Sequence, residues 1–456
     1  MIFSSIEFLL WFLPIFLIVY GITPRKYRNL TLLVGSIVFY ARGDVRYLPL
    51  LMISILCNYF LGLHLAKRSP KTLWRKKLLL ILTLGANLAV LLWFKDWGGS
   101  AGLPLGISFY TFQTMSYSID VYRGDVPTEH NLIDFGAYVV MFPQLIAGPI
   151  VKYRDVSDRL HVLKGRVTMD RVEEGVYLFI LGLAKKVLLA DGISALWYDV
   201  TGHMVNGVME YGVGLENAST PLVWLGLLAY TLQIYFDFSG YSLMGIGMGK
   251  MLGFDFPDNF NLPYISKSIT EFWRRWHMTL SSWFREYVYI PLGGNRKGLA
   301  RQLVNIAIVW FLTGFWHGAN WNFILWGLYY CVLLILEKTL LLPYLKKGKV
   351  WPHIYTLLLV MVGWAFFVGS DVGVQLPLLL QRLFVPTGGV SALYFLRNYG
   401  LLLAVGIVCA SPITLKVDKV LRRHKLLQGI FLAVLLVITI AYMVDATNSP
   451  FLYFRF

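Results

Sequence analysis

A histidine, His317, stands near the end of the apolar segment 303–318, where only lipid-compatible residues are expected. Imidazole takes up and releases protons near neutral pH, so an ionisable ring inside a membrane segment is a candidate for acid–base chemistry. Trp310, Thr313, Gly314 and His317 fall at i, i+3, i+4 and i+7, one face of a helix. The small residues Thr313 and Gly314, a turn before the ring on that face, predict room beside it. His317 also lies sixteen residues beyond Arg301, roughly 24 Å along a helix, which sets the ring deep in a bilayer core of about 30 Å. Two readings satisfy this spacing: a general base, or a structural histidine bonded to a neighbouring helix.

The stretch before it is charged and aromatic. Ser268-Ile-Thr-Glu271 reads as a capping box. Ile269, Phe272, Trp276, Leu280, Trp283 and Tyr287 then form one helical stripe, and Trp273, His277, Leu280 and Phe284 an adjacent one. A single helix ending at Pro291 and Gly293-Gly294 is expected. Arg274, Arg275 and Arg285 on it suit a position at the cytoplasmic interface rather than an ordinary span.

These elements sit in a chain of 456 residues that is 57% hydrophobic and only 14% charged, below the quarter usual for soluble domains. Mean hydropathy is +0.61. The fold class is therefore an all-α polytopic membrane protein. The net charge of +16 comes from basic residues in short loops between apolar segments, the pattern of cytoplasmic loops facing anionic lipid, and not a nucleic-acid surface. Cys57, Cys331 and Cys409 lie singly in apolar segments without metal-ligand spacing. The N-terminus lacks a basic n-region and carries Glu7, so no cleavable signal peptide is expected. P-loop, G-x-S-x-G, H-E-x-x-H and C-x-x-C motifs are absent from the sequence.

Apolar segments fall at about 2–22, 30–41, 48–66, 78–94, 103–122, 174–197, 219–243, 303–318, 321–343, 354–370, 399–414 and 427–446. Segment 30–41 is short for a span unless it extends into its flanks. Segment 103–122 is rich in hydroxyls, and 135–150, interrupted by Pro and Gly, reads as a re-entrant element. Lys185 and Lys186 inside 174–197 call for pairing or snorkelling, and Asp237 falls in or near the membrane. The basic loops 67–77, 152–171, 346–349 and 416–425 all fall on one side if both termini lie outside. The expectation is about 11–12 transmembrane helices in one domain, with N-terminal helices 1–100, a catalytic core 101–345 and C-terminal helices 346–456.

Several of these stretches together resemble one family. SFYTFQTMSYSIDVYRG (108–124), FPQLIAGPIVKYRD (142–155), QIYFDFSGYS (233–242), EFWRRWHMTLSSWFREYVYIPLGGNR (271–296), GFWHGANWNF (314–323) and PFLYFRF (450–456) are similar, in order, to the membrane-bound O-acyltransferases. The likeness is strongest to the bacterial branch that O-acetylates alginate and related polysaccharides. Where the family usually has an acid after FSGYS, this chain has Leu243, so no carboxylate role is expected there.

The resemblance implies a through-membrane tunnel and transfer of an acyl group, usually acetyl, from a cytoplasmic thioester such as acetyl-CoA, without a metal. It implies a secreted polysaccharide or an extracytoplasmic acetyltransferase as acceptor, and a bacterial inner membrane as the location. It sets the family's invariant histidine on His317. The histidine of its R-W-H motif falls on His277, either acting directly or shaping the donor channel. On this reading His317 is the general base. Arg274, Arg275 and Arg285 draw in the donor's phosphates. Asn320, Asn322 or nearby backbone N–H groups face the developing oxyanion, and Trp310, Thr313, Gly314 and Asp237 line the tunnel. D-alanyl transfer from a carrier-protein thioester, and a transporter without chemistry of its own, are the competing readings.

Overall fold

A computed structural model describes residues 2–66, 73–97, 102–146, 148–162, 167–205, 208–210, 212–369 and 374–445. The closing PFLYFRF motif lies outside the described residues. By their internal contacts the described residues cluster into two compact units, one of those up to Leu183 with Tyr241–Asn259 and Met443–Asp445, the other of Ala184–Gly240 and Phe260–Tyr442.

In chain order the first unit carries α1 (Leu13–Ile22), α2 (Arg28–Asp44), α3 (Leu48–Ala66), α4 (Leu73–Leu92), α5 (Ile107–Arg123), α6 (Leu132–Val140), α7 (Phe142–Leu145), α8 (Tyr153–His161) and α9 (Met169–Ala184). The remaining helices are α10 (Gly192–Thr201), α11 (Thr220–Met251), α12 (Ile269–Arg275), α13 (Met278–Phe284), α14 (Gly298–His317), α15 (Trp321–Leu336), α16 (Leu342–Lys347), α17 (Trp351–Val368), α18 (Leu376–Phe384), α19 (Ala392–Cys409), α20 (Ile413–Arg423) and α21 (Lys425–Asp445). A short antiparallel hairpin pairs His203–Val205 with Val208–Glu210.

Among the described residues eight helical stretches are long and apolar enough to cross a membrane, the first of them, Arg25–Leu65, holding both α2 and α3. The short segment 30–41 does extend into its flanks, as α2 runs seventeen residues. Helix α5, seventeen residues long and rich in hydroxyls, falls outside this set. Every residue from Ile107 to Val121 is buried, so its hydroxyls meet protein rather than lipid. Thr114 Oγ1 donates to Tyr110 O at 2.9 Å and Ser116 Oγ to Gln113 O at 2.9 Å. Lone polar groups in lipid lack such partners.

The segment expected to be re-entrant is a broken pair. Helix α6 has nine residues, roughly 14 Å of helix, too short for a core of about 30 Å. The chain breaks at Met141 and restarts as the four-residue α7. Ser36 Oγ accepts from Phe142 N at 3.2 Å across that break. Gly106, at φ +70°, permits the approach of Leu145 O, which a Cβ there would meet at 2.2 Å.

Sequence spacing singled out no histidine in this unit, yet His161 belongs to a network. Its Nε2 lies 2.9 Å from Glu129 Oε2, which also accepts from Tyr153 Oη at 2.7 Å. Asp134 completes a group whose ligand atoms lie within 4.8 Å of one another. Asn29 and Asn131 donate to the two Asp134 oxygens at 2.7 and 2.9 Å.

Candidate active site

The candidate site lies in the second unit and begins with α12. Ser268 caps that helix, its Oγ accepting from Glu271 N at 3.0 Å. The reciprocal half of the expected capping box differs. Glu271 reaches Lys267 N at 2.9 Å and binds Arg275 Nε at 2.9 Å. The next orphan donors, Ile269 N and Thr270 N, go to the carboxylate of Glu337.

The single helix expected across this region is two. Helix α12 stops at Arg275, and His277 takes a left-handed backbone, φ +43° and ψ +55°, before α13 starts at Met278. Such a conformation is unfavourable for residues other than Gly, Asn and Asp, and it concentrates where the surroundings impose it. Ser281 Oγ donates to Trp273 O at 3.1 Å, taking the carbonyl that a continuous helix would have given to residue 277. The predicted stripe Trp273–His277–Leu280–Phe284 therefore does not exist as a helical face. Instead the turn buries the imidazole, 3% exposed, with its ring 4.8 Å from Phe238 and edge-on to it.

His317 is the last residue of α14 and is 6% exposed. Trp326 and Phe367 meet its ring edge-on at 5.1 and 5.2 Å, with Trp316 at 4.8 Å. The space beside the ring does not come from Gly314, as its size suggested. A Cβ at Gly314 would meet Phe323 O at 2.5 Å, and one at Gly327 would meet Trp310 O at 2.5 Å. The two glycines let α14 and α15 pack backbone to backbone, the small-residue contact of membrane helices.

Two cavities meet this machinery. The larger, about 230 Å³, is lined by Thr270, Trp273, Arg274 and His277 on one side, Arg285 and Tyr289 on another, and Trp310 and Thr313 of α14. The smaller, about 20 Å³, is lined by His277, His317, Trp273, Trp326, Trp364 and Phe367. Trp273, His277 and Leu280 belong to both walls. Burial pushes the His277 imidazole down to about 3, which keeps it neutral in the fold.

Of the residues expected at the site, the structure brings His277 and His317 together on one chamber, and Arg274, Arg285, Trp310 and Thr313 on the other. Four expectations end elsewhere. Arg275 is held by Glu271 and by Asn261 O at 3.1 Å. Asn320 is exposed and caps α15, its Oδ1 accepting from Asn322 N, and neither asparagine lines either of these two cavities. Asp237 is the ion-pair partner of Lys186 at 2.9 Å rather than a wall of the site. Trp326 and Phe367, which wall the smaller chamber, escaped the sequence reading because an aromatic on an apolar helix carries no signal of its own.

Residues 68–369 match the model of the membrane-bound O-acyltransferase family. The chain belongs to that family. It is an O-acyltransferase and a multi-pass protein of the bacterial inner membrane. It is 44% identical to the probable alginate O-acetylase AlgI of Pseudomonas putida over 82% of this chain and 78% of that protein. It is 34% identical to the peptidoglycan O-acetyltransferase of Helicobacter pylori over 80% and 77%. The teichoic acid D-alanyltransferase of Bacillus subtilis is 28% identical over 50% and 58%.

Proposed function

We propose that this O-acyltransferase moves an acetyl group from a cytoplasmic thioester, acetyl-CoA or a carrier-bound acyl group, to a hydroxyl on the far side of the membrane. The acceptor is a secreted polysaccharide or an extracytoplasmic acetyltransferase that passes the group on. The observation that carries this reading is that His277 and His317, forty residues apart in sequence, line one small chamber next to a larger cavity. Its acyl class follows the relatives that match most of the chain, which are named for O-acetylation, whereas the D-alanyl relative matches half of it.

In this mechanism the donor occupies the larger cavity, with Arg274 and Arg285 at its wall facing the donor's phosphates. The thioester carbonyl reaches the smaller chamber past Trp273 and His277. Neutral His317 takes the proton of the acceptor hydroxyl as its oxygen attacks the carbonyl carbon. Collapse of the tetrahedral adduct breaks the C–S bond, and His317 returns the proton to the departing thiolate. The products are an O-acetyl ester and a free thiol. The apolar rings around His317 keep the reaction dry.

The test is O-acetylation of the cell's secreted polysaccharide, read by mass spectrometry, in a strain carrying His317→Ala at wild-type protein level. Loss of acetyl is expected. Unchanged acetylation overturns the proposal, and an alanyl ester in its place would assign the donor to the D-alanyl class.

A further inference from the structure

Glu337 is a carboxylate with no exposure at all, inside the apolar stretch Trp321–Lys347. An acid in such a stretch is costly and points to a role. It stands where α15 gives way to a π-helical turn, Glu337–Leu341, and its partners are 67 and 68 residues away in the chain. Its Oε1 accepts from Ile269 N at 2.6 Å. Its Oε2 accepts from Thr270 N at 2.9 Å and from Thr270 Oγ1 at 2.7 Å. With Ser268 Oγ on Glu271 N, the first three N–H groups of α12 are all held by fixed acceptors.

Helix α12 is only seven residues long, too short to hold itself together. Yet it supplies Thr270, Trp273 and Arg274 to the wall of the larger cavity and leads directly into the turn at His277. Its placement must come from outside, and the carboxylate three-point grip at its first turn fixes its N-terminal end. We infer that Glu337 is a positioning residue of the acyl-transfer site, fixing α12 and with it the donor-binding wall. The inference rests on the larger cavity being the donor's.

Full-length protein in lipid nanodiscs is titrated with acetonyl-CoA, a thioether analogue that cannot transfer its acyl group. Glu337→Gln turns one acceptor oxygen into an NH₂ facing donors, and is expected to weaken analogue binding about tenfold. Thr270→Val removes only the hydroxyl bond and is expected to weaken it about threefold, keeping the inference testable if Glu337→Gln does not accumulate. Adding Thr270→Val to Glu337→Gln should cost less than on the wild-type background, and Glu337→Asp should fall between. Wild-type affinity in both single variants, whatever their thermal midpoints, overturns the inference alone. Failure of the wild-type protein to bind the analogue overturns the donor reading and takes the inference with it.

Discussion

Lys186 Nζ stands 2.9 Å from Asp237 Oδ1, and each of these side chains is 2% exposed. The same ammonium binds Asp191. Pairing therefore accounts for a lysine inside an apolar segment, and Asp237 serves as its counter-ion. Removing one member of a buried pair strands the other, at about 3–5 kcal/mol. Asp191 still holds the ammonium in Asp237→Ala, so that variant should lose less unfolding stability in detergent than this, whereas Lys186→Met should lose about that much and Lys186→Met with Asp237→Leu should recover part of it. Equal losses in Lys186→Met and the double variant would refute the pairing account.

The left-handed backbone at His277 separates its conformational role from its chemical one. Asparagine adopts this conformation far more readily than a β-branched residue. His277→Asn should accumulate and unfold near the wild-type midpoint, while His277→Val should be less stable by about 1–3 kcal/mol. If the imidazole acts in transfer, the asparagine variant folds but loses acetylation. Full activity of that variant would assign His277 to shaping the chamber only.

Acid titration offers a signature of the same ring. Its folded value is about 3 because burial disfavours the charge, against about 6.5 for an unfolded histidine. The group is depressed on folding, so its contribution is fully present above about 6.5 and lost as pH falls toward 3. His277→Asn should flatten the decline of the unfolding midpoint between pH 6.5 and 4. An identical decline in both proteins would contradict the burial of this ring.

Glycines distinguish packed from open helix faces. Gly314→Ala would drive its methyl to 2.5 Å from Phe323 O, whereas Gly85→Ala meets nothing within 4 Å. The first should cost about 1–3 kcal/mol by overpacking and reduce transfer by shifting the end of α14. The second should be neutral or slightly stabilising. Thermal unfolding of the two variants side by side decides this.

The three arginines should also divide. Arg274→Ala with Arg285→Ala should raise the apparent donor KM several-fold in a membrane assay. Arg275→Ala removes a half-exposed i,i+4 pair with Glu271, worth about 0.3–0.5 kcal/mol, and should leave the donor KM alone. Equal KM effects would place all three at the donor.

Periodicity and loop charge were enough to foresee the long apolar helices, the broken α6–α7 element and the position of His317 at a helix end. Three things stayed hidden because distant partners decide them. Nothing local marks the break at Trp276–His277, which has neither Gly nor Pro and is maintained by Ser281 Oγ on Trp273 O. The cap on α12 arrives from Glu337, in another helix. Gly314 looks like space in a helical wheel but is occupied by the backbone of α15.

The smaller chamber, about 20 Å³, has room for only one or two solvent molecules. Water is the rival nucleophile for any thioester, present at a concentration no alcohol can match. In the proposed mechanism, a thioester carbonyl seated in a compartment this cramped displaces the water that would hydrolyse it. An idle enzyme, loaded with activated acid but lacking an acceptor, would then hold its charge instead of leaking it, and a cell making little polymer would lose little carbon through it.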